Sequence, residues 1–147
     1  RDRHPDLPAH VTLHDPDSPV SSYALIEQAD AVLVHASTIG LEAALLGKPV
    51  LVSADVHYRG KGFTRDVEGP EHLVTLLDSA RTLRLTPEEH DLAITYAHLF
   101  FFEAMIPIPS LGERWRGKPF FRVTDARELV HDRGLKAICD LALEEAA

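Results

Sequence analysis

The chain has 147 residues, enough for one domain of ordinary size with a real core. Lys and Arg number 15 against 23 Asp and Glu, a formal charge of -8 whose field repels a polyanion such as duplex DNA, so nucleic acid is not an expected partner. No apolar run approaches the roughly 20 residues of a membrane-spanning helix, and the lone Cys139 excludes an intrachain disulfide framework or a cysteine-rich zinc site.

Arg1-Asp2-Arg3-His4-Pro5 opens the chain without methionine or a signal-type apolar stretch, as expected of a piece cut from a longer protein. Val11 to His14 is a short β-rich run, and the turn chemistry of Asp15-Pro16-Asp17-Ser18-Pro19 predicts a strand and then a loop. Ser21 or Ser22 caps a predicted helix that runs to about Gln28. Ala31-Val32-Leu33-Val34-His35 is a continuous apolar run, expected to form a parallel strand buried on both faces. From Thr38 to Leu46 the residues favour helix, Gly47 supplies the stop, and Val50-Leu51-Val52 is the next strand. This strand-helix-strand alternation implies a βαβ crossover in an open sheet covered by helices on both faces, with ligands bound beyond the carboxyl ends of the strands.

Asp55 to Thr64 is a long polar loop punctuated by glycine, of the kind that carries function. Gly69-Pro70-Glu71 starts a helix to about Leu83, and Thr86-Pro87-Glu88-Glu89 starts another to about Met105. Ile106-Pro107-Ile108-Pro109 breaks the pattern, and short helices are expected at Asp125 to Arg133 and Leu135 to Glu145. Phe100-Phe101-Phe102, beside Tyr96 and Trp115, suits core or an inter-domain face, in part exposed. One domain is expected over 1–147, with an α/β core at 1–85 and a helical extension at 86–147.

The segment richest in chemistry is His35-Ala36-Ser37-Thr38-Ile39-Gly40-Leu41-Glu42-Ala43. A buried strand feeding a helix that begins with two hydroxyls leaves free backbone N–H groups and the positive end of the helix dipole at the sheet's carboxyl edge. Ser37 and Thr38 either donate to a phosphate oxygen there or simply cap the helix. Gly40 permits close approach of backbone or ligand. Glu42, the one ionisable group in an apolar helix, is either solvated or held by hydroxyl donors such as those of a ribose.

Ser37 to Val50, with Tyr58-Arg59-Gly60-Lys61-Gly62-Phe63-Thr64 after it, resembles the signature of the bacterial capsule polysaccharide biosynthesis family, which includes capsular 3-deoxy-manno-octulosonate (Kdo) transferases. The resemblance spans roughly residues 1 to 80, and two blocks at the right separation are more specific than either alone. It implies a Rossmann-like fold, the C-terminal donor-binding half of a GT-B glycosyltransferase, here with extra C-terminal helices. In that family and in similar GT-B sialyltransferases, a His-Pro pair and a hydroxyl-rich helix start hold the phosphate of a CMP-sugar, while a glutamate binds the ribose. The matching positions are His4 with Pro5, Ser37 with Thr38, and Glu42. Tyr58, Arg59 and Lys61 then close over the donor, the cations serving a sugar carboxylate or the departing phosphate, unless the loop is merely solvated.

The implied reaction moves a glycosyl group from a nucleotide sugar, CMP-Kdo or a related CMP-linked donor, to a polysaccharide or glycolipid acceptor. No metal or cofactor is expected, the base and acceptor site fall to a missing N-terminal domain, and the chain alone is expected to be inactive. A cytoplasmic location follows, peripheral at the inner membrane through partners. Two alternatives stay open: a stand-alone nucleotide- or sugar-phosphate-binding regulatory module, or another nucleotide-sugar enzyme such as an epimerase. His10, His14, His57, His72, His90, His98 and His131 form no zinc-type motif and are read as structural or surface residues.

Overall fold

The computed structural model of the chain describes residues 7–112, 122–123 and 125–144. In chain order, α1 (Ser22–Gln28) leads to β1 (Val32–Val34), α2 (Ile39–Leu45), β2 (Val50–Val52) and β3 (Arg65–Asp66). α3 (Pro70–Ser79) and α4 (Pro87–His98) follow. The strands make one parallel sheet in the order β1-β2-β3, with Val34 opposite Val52 and Val52 opposite Asp66. The α/β class read from the sequence holds, in the form of a small three-stranded sheet.

Parallel neighbours in register point the same way, so Val34 and Val52 share one face and Leu33 and Leu51 the other. α2 lies on the Val34 face, where a Cβ on Gly40 would stand 3.0 Å from Val34 Cγ2. Leu41, Ala43, Ala44 and all of β2 are buried with it. Each buried valine or leucine among them contributes about 1.5–3 kcal/mol by leaving water. Leu33 on the opposite face remains 46% exposed. Burial on both faces, expected of β1, therefore fails there, while β2 is buried throughout. β1 is the end strand of the sheet, with a neighbour on one side only, and its Leu33 face is only partly covered.

Both ends of the βαβ unit are locked by polar contacts. Gly47 takes a left-handed φ of 74°, its N–H reaching Ala44 O and that of Lys48 reaching Ala43 O. This Schellman arrangement ends α2 where the sequence places the stop. Lys48 Nζ then donates to Glu27 O at 2.7 Å and Ala29 O at 3.0 Å, putting a cation on the carbonyl end of α1.

The strand expected at Val11 to His14 is not formed. Val11 N–H turns back to Pro8 O, and Val11 and Leu13 stay exposed. β propensity measures fit to a neighbouring strand, and this run has no ladder partner among the described residues.

β2 and β3 are joined by residues 53–64, a parallel crossover without a helix. The loop is packed: Tyr58 and Phe63 are fully buried, their rings 6.3 Å apart, and Tyr96 of α4 lies 5.7 Å from Phe63. Gly60 (φ 70°) makes its turn, with its N–H on Asp66 Oδ2. α4 is fastened at its start by a capping box, Thr86 N–H to Glu89 Oε2 and Glu89 N–H to Thr86 Oγ1. Arg65 of β3 grips the same carboxylate at 2.7 and 3.0 Å.

The chain divides into two compact units, Arg1–Ala97 and His98–Ala147. In the second, the α-helical pattern expected to reach Met105 gives way to a π-helical segment over Leu99–Glu103, with Phe102 76% exposed. A 3-10 helix (Ala126–His131) and α5 (Arg133–Glu144) match the two short helices expected there. Asp132 caps α5, accepting from the N–H groups of Gly134 and Leu135. Its other oxygen takes the N–H of Ser110. Together these donors, the contact to Ser110 foremost, hold the Asp132 carboxyl below the usual range.

Candidate functional site

Because β1 and β2 run parallel, their carboxyl ends share one edge of the sheet, and α2 starts at that edge. Open α/β sheets bind ligands there. Ser37 and Thr38 are both exposed at the start of α2. Ser37 Oγ accepts the Ile39 N–H at 3.3 Å, whereas Thr38 makes no side-chain cap bond. The N–H groups of Gly40 and Leu41 donate to Ser37 O and Thr38 O. The expected row of free amides is therefore largely engaged within the turn. What the edge offers an anion is two exposed hydroxyls and the positive end of a short helix.

Gly40 is buried, and the reason lies beneath it. A Cβ there would run into the Tyr58 hydroxyl and stand 3.1 Å from Tyr58 Cζ. That hydroxyl donates to Ser37 O at 2.5 Å, so Tyr58 fixes the backbone at the head of α2. Burial raises the Tyr58 phenol above its ordinary value and keeps it a donor. Gly40 thus serves close approach of protein to protein.

Glu42 is half-buried one turn along α2, and its Oε2 accepts a hydrogen bond from the Tyr23 hydroxyl on α1. That bond raises the Tyr23 phenol above its usual range. The carboxylate therefore already serves as acceptor for a hydroxyl.

Of the three loop residues read from the sequence, only Lys61 is exposed. The Arg59 guanidinium is spent on the backbone, Nη1 on Val52 O and Ala54 O, Nη2 on Val67 O at 2.8 Å. Tyr58 is inside. The structure brings Ser37, Thr38, Gly40, Glu42 and Tyr58 around one helix start. His4 and Pro5 lie outside the described residues, as does Trp115.

Two residues absent from the sequence-derived site stand at the same edge. His35 directly follows β1, Ser53 directly follows β2, and His35 Nδ1 lies 3.1 Å from Ser53 Oγ. Ser53 also lines a cleft of about 310 Å3 with Val67, Glu68, Gly69, Pro70 and Leu73. Position was the available signal, since each is the first residue past an apolar strand at its carboxyl end. Tyr23 was missed as well, because in sequence it reads as one more apolar position of α1.

Several other histidines have structural partners. His90 Nε2 meets Leu45 O, and His57 stacks on Tyr96 and bonds to its hydroxyl. Burial lowers the His57 pKa. Among the described residues no three His, Cys, Asp or Glu gather as a metal site would need, and no helix is long and apolar enough to cross a membrane.

Residues 8–85, more than half the chain, match the sequence family described as capsule polysaccharide biosynthesis protein. No curated protein and no solved structure matches the chain.

Proposed function

The chain belongs to the family of capsule polysaccharide biosynthesis proteins, and from that premise we propose that it binds the nucleotide-sugar donor of a GT-B glycosyltransferase acting in capsule synthesis. The observation that carries this reading is the pair of exposed hydroxyls, Ser37 and Thr38, at the start of α2 on the carboxyl edge of two parallel strands. Phosphate oxygens accept from both hydroxyls, and the helix dipole favours the negative charge that grows as the nucleotide departs. Glu42 accepts ribose hydroxyls, exchanging its bond to Tyr23. Lys61, exposed in the loop, faces a sugar carboxylate or the phosphate, while Tyr58 and Arg59 hold the loop and the helix start in place. His4 joins the phosphate. The donor is CMP-linked, CMP-Kdo or a related acidic sugar. The base that deprotonates the acceptor hydroxyl comes from a partner domain, and no metal is needed.

Calorimetric titration of the chain with CMP, UDP and GDP tests this. CMP is expected to bind selectively, and Ser37→Ala and Glu42→Ala each to weaken it. Hydrogen bonds to charged groups contribute about 1.5–3 kcal/mol, so the loss should be about 10- to 100-fold. A folded chain that binds no nucleotide, or binds one equally well in both variants, would defeat the assignment.

A further inference from the structure

We propose that His35 is a ligand-contacting residue of this site, with its ring fixed so that Nε2 accepts a hydrogen bond from a hydroxyl of the bound nucleotide sugar; this rests on the nucleotide-sugar reading above. His35 follows Val34 and Ser53 follows Val52, and the parallel register sets Val34 against Val52, so the two residues leave the sheet side by side. Ser53 Oγ donates to Val34 O at 3.1 Å. A serine hydroxyl has one proton, and this bond uses it. With the hydroxyl proton placed on Val34 O, which also accepts the Ser53 N–H at 3.0 Å, His35 Nδ1, 3.1 Å from the same Oγ, supplies the hydrogen of that contact and carries the N–H, the assignment on which the proposal stands. A neutral imidazole has only one N–H, which leaves Nε2 with a lone pair.

Nε2 has no partner among the described residues, and His35 is exposed at the carboxyl edge. The oxygen that anchors the ring belongs to a residue lining the 310 Å3 cleft. The result is an acceptor of fixed tautomer tethered to the cleft wall. Its natural complement is a hydroxyl, a group that a nucleotide sugar presents on the ribose and on the sugar. The exposed Ser37 and Thr38 supply donors at the same edge, so His35 adds the opposite polarity.

Long-range proton–nitrogen NMR of the histidine rings, on the whole chain at mildly alkaline pH, reads the tautomer directly. His35 should be the Nδ1–H form in the native chain and shift toward Nε2–H in Ser53→Ala. CMP, UDP and GDP are then added, each alone and as a sugar conjugate (CMP-sialic acid, UDP-glucose, GDP-mannose). The ligand that binds should move the His35 Nε2 resonance. Movement with the nucleotide alone assigns the ribose hydroxyl; movement only with the conjugate assigns the sugar. His35→Phe should weaken that ligand about tenfold, and His35→Gln, which keeps an acceptor, should recover part of the loss. An Nε2–H tautomer in the native chain overturns the proposal. So does nucleotide binding that leaves the His35 ring unmoved, a result that keeps the nucleotide reading intact. Absence of binding by every nucleotide overturns both.

Discussion

Gly40→Ala adds one methyl group at the point where α2 rests on the loop. In an open helix the change would stabilise by about 0.8–1.0 kcal/mol, because alanine is the better helix former. Here the new Cβ would meet the Tyr58 hydroxyl and stand 3.0 Å from Val34 Cγ2 and 3.1 Å from Tyr58 Cζ. Neither neighbour yields easily: Tyr58 is fully buried and bonded to Ser37 O, and Val34 sits in the sheet. Overpacking costs about 1–3 kcal/mol, and a broken buried hydrogen bond costs about 1–3 kcal/mol. Less the helix-propensity gain, the net expectation is destabilisation by about 3 kcal/mol, seen as a lower urea midpoint at unchanged slope. Tyr58→Phe removes the obstructing oxygen. In that background Gly40→Ala should cost little, the helix-propensity gain offsetting the residual crowding. The double-mutant cycle should therefore show a coupling of about 2–3 kcal/mol. Equal costs of Gly40→Ala in both backgrounds would refute the view that the Tyr58 hydroxyl is what demands glycine at this position.

The Glu89 carboxyl lies below its ordinary value of 4.5, held there chiefly by the hydrogen bond from Arg65. Its stabilising effect is complete above that value and is lost as pH falls through the lower folded-state value. Unfolding free energies of the native chain and of Glu89→Gln, measured by urea titration, should therefore converge in acid, with a gap of about 1 kcal/mol near neutrality for this partly exposed pair. Arg59→Lys keeps the charge but cannot fork across Val52 O, Ala54 O and Val67 O. A loss of about 1–3 kcal/mol is expected, together with faster hydrogen exchange in the loop; unchanged exchange would contradict the clamp. In the second unit, a Cβ on Gly134 would collide with the backbone carbonyl of Pro107 and stand 3.1 Å from Ile108 Cα. Gly134→Ala should therefore raise hydrogen exchange across α5 despite better helix propensity, and protected α5 amides would show that the backbone yields instead.

Local pattern was enough for the βαβ unit. The apolar runs at Val32–Val34 and Val50–Val52, the stop at Gly47 and the prolines at Pro70 and Pro87 act within one element, and each lies where the sequence places it. The hydroxyl-led start of α2 was legible in the same way. β3 was not, because Arg65 and Asp66 have no apolar alternation and become a strand only beside β2. Val11 to His14 erred in the opposite sense, having the composition of a strand and no ladder partner among the described residues. The contacts that shape the candidate site join residues 18 to 21 positions apart: His35 with Ser53, Tyr23 with Glu42, Tyr58 with Ser37. Periodicity and capping depend on residues within a turn or two of one another, so they determine the helices and the two apolar strands of the βαβ unit. Which side chains then meet is set by strand register and by the path of the crossover loop, and those exist only once the sheet has assembled.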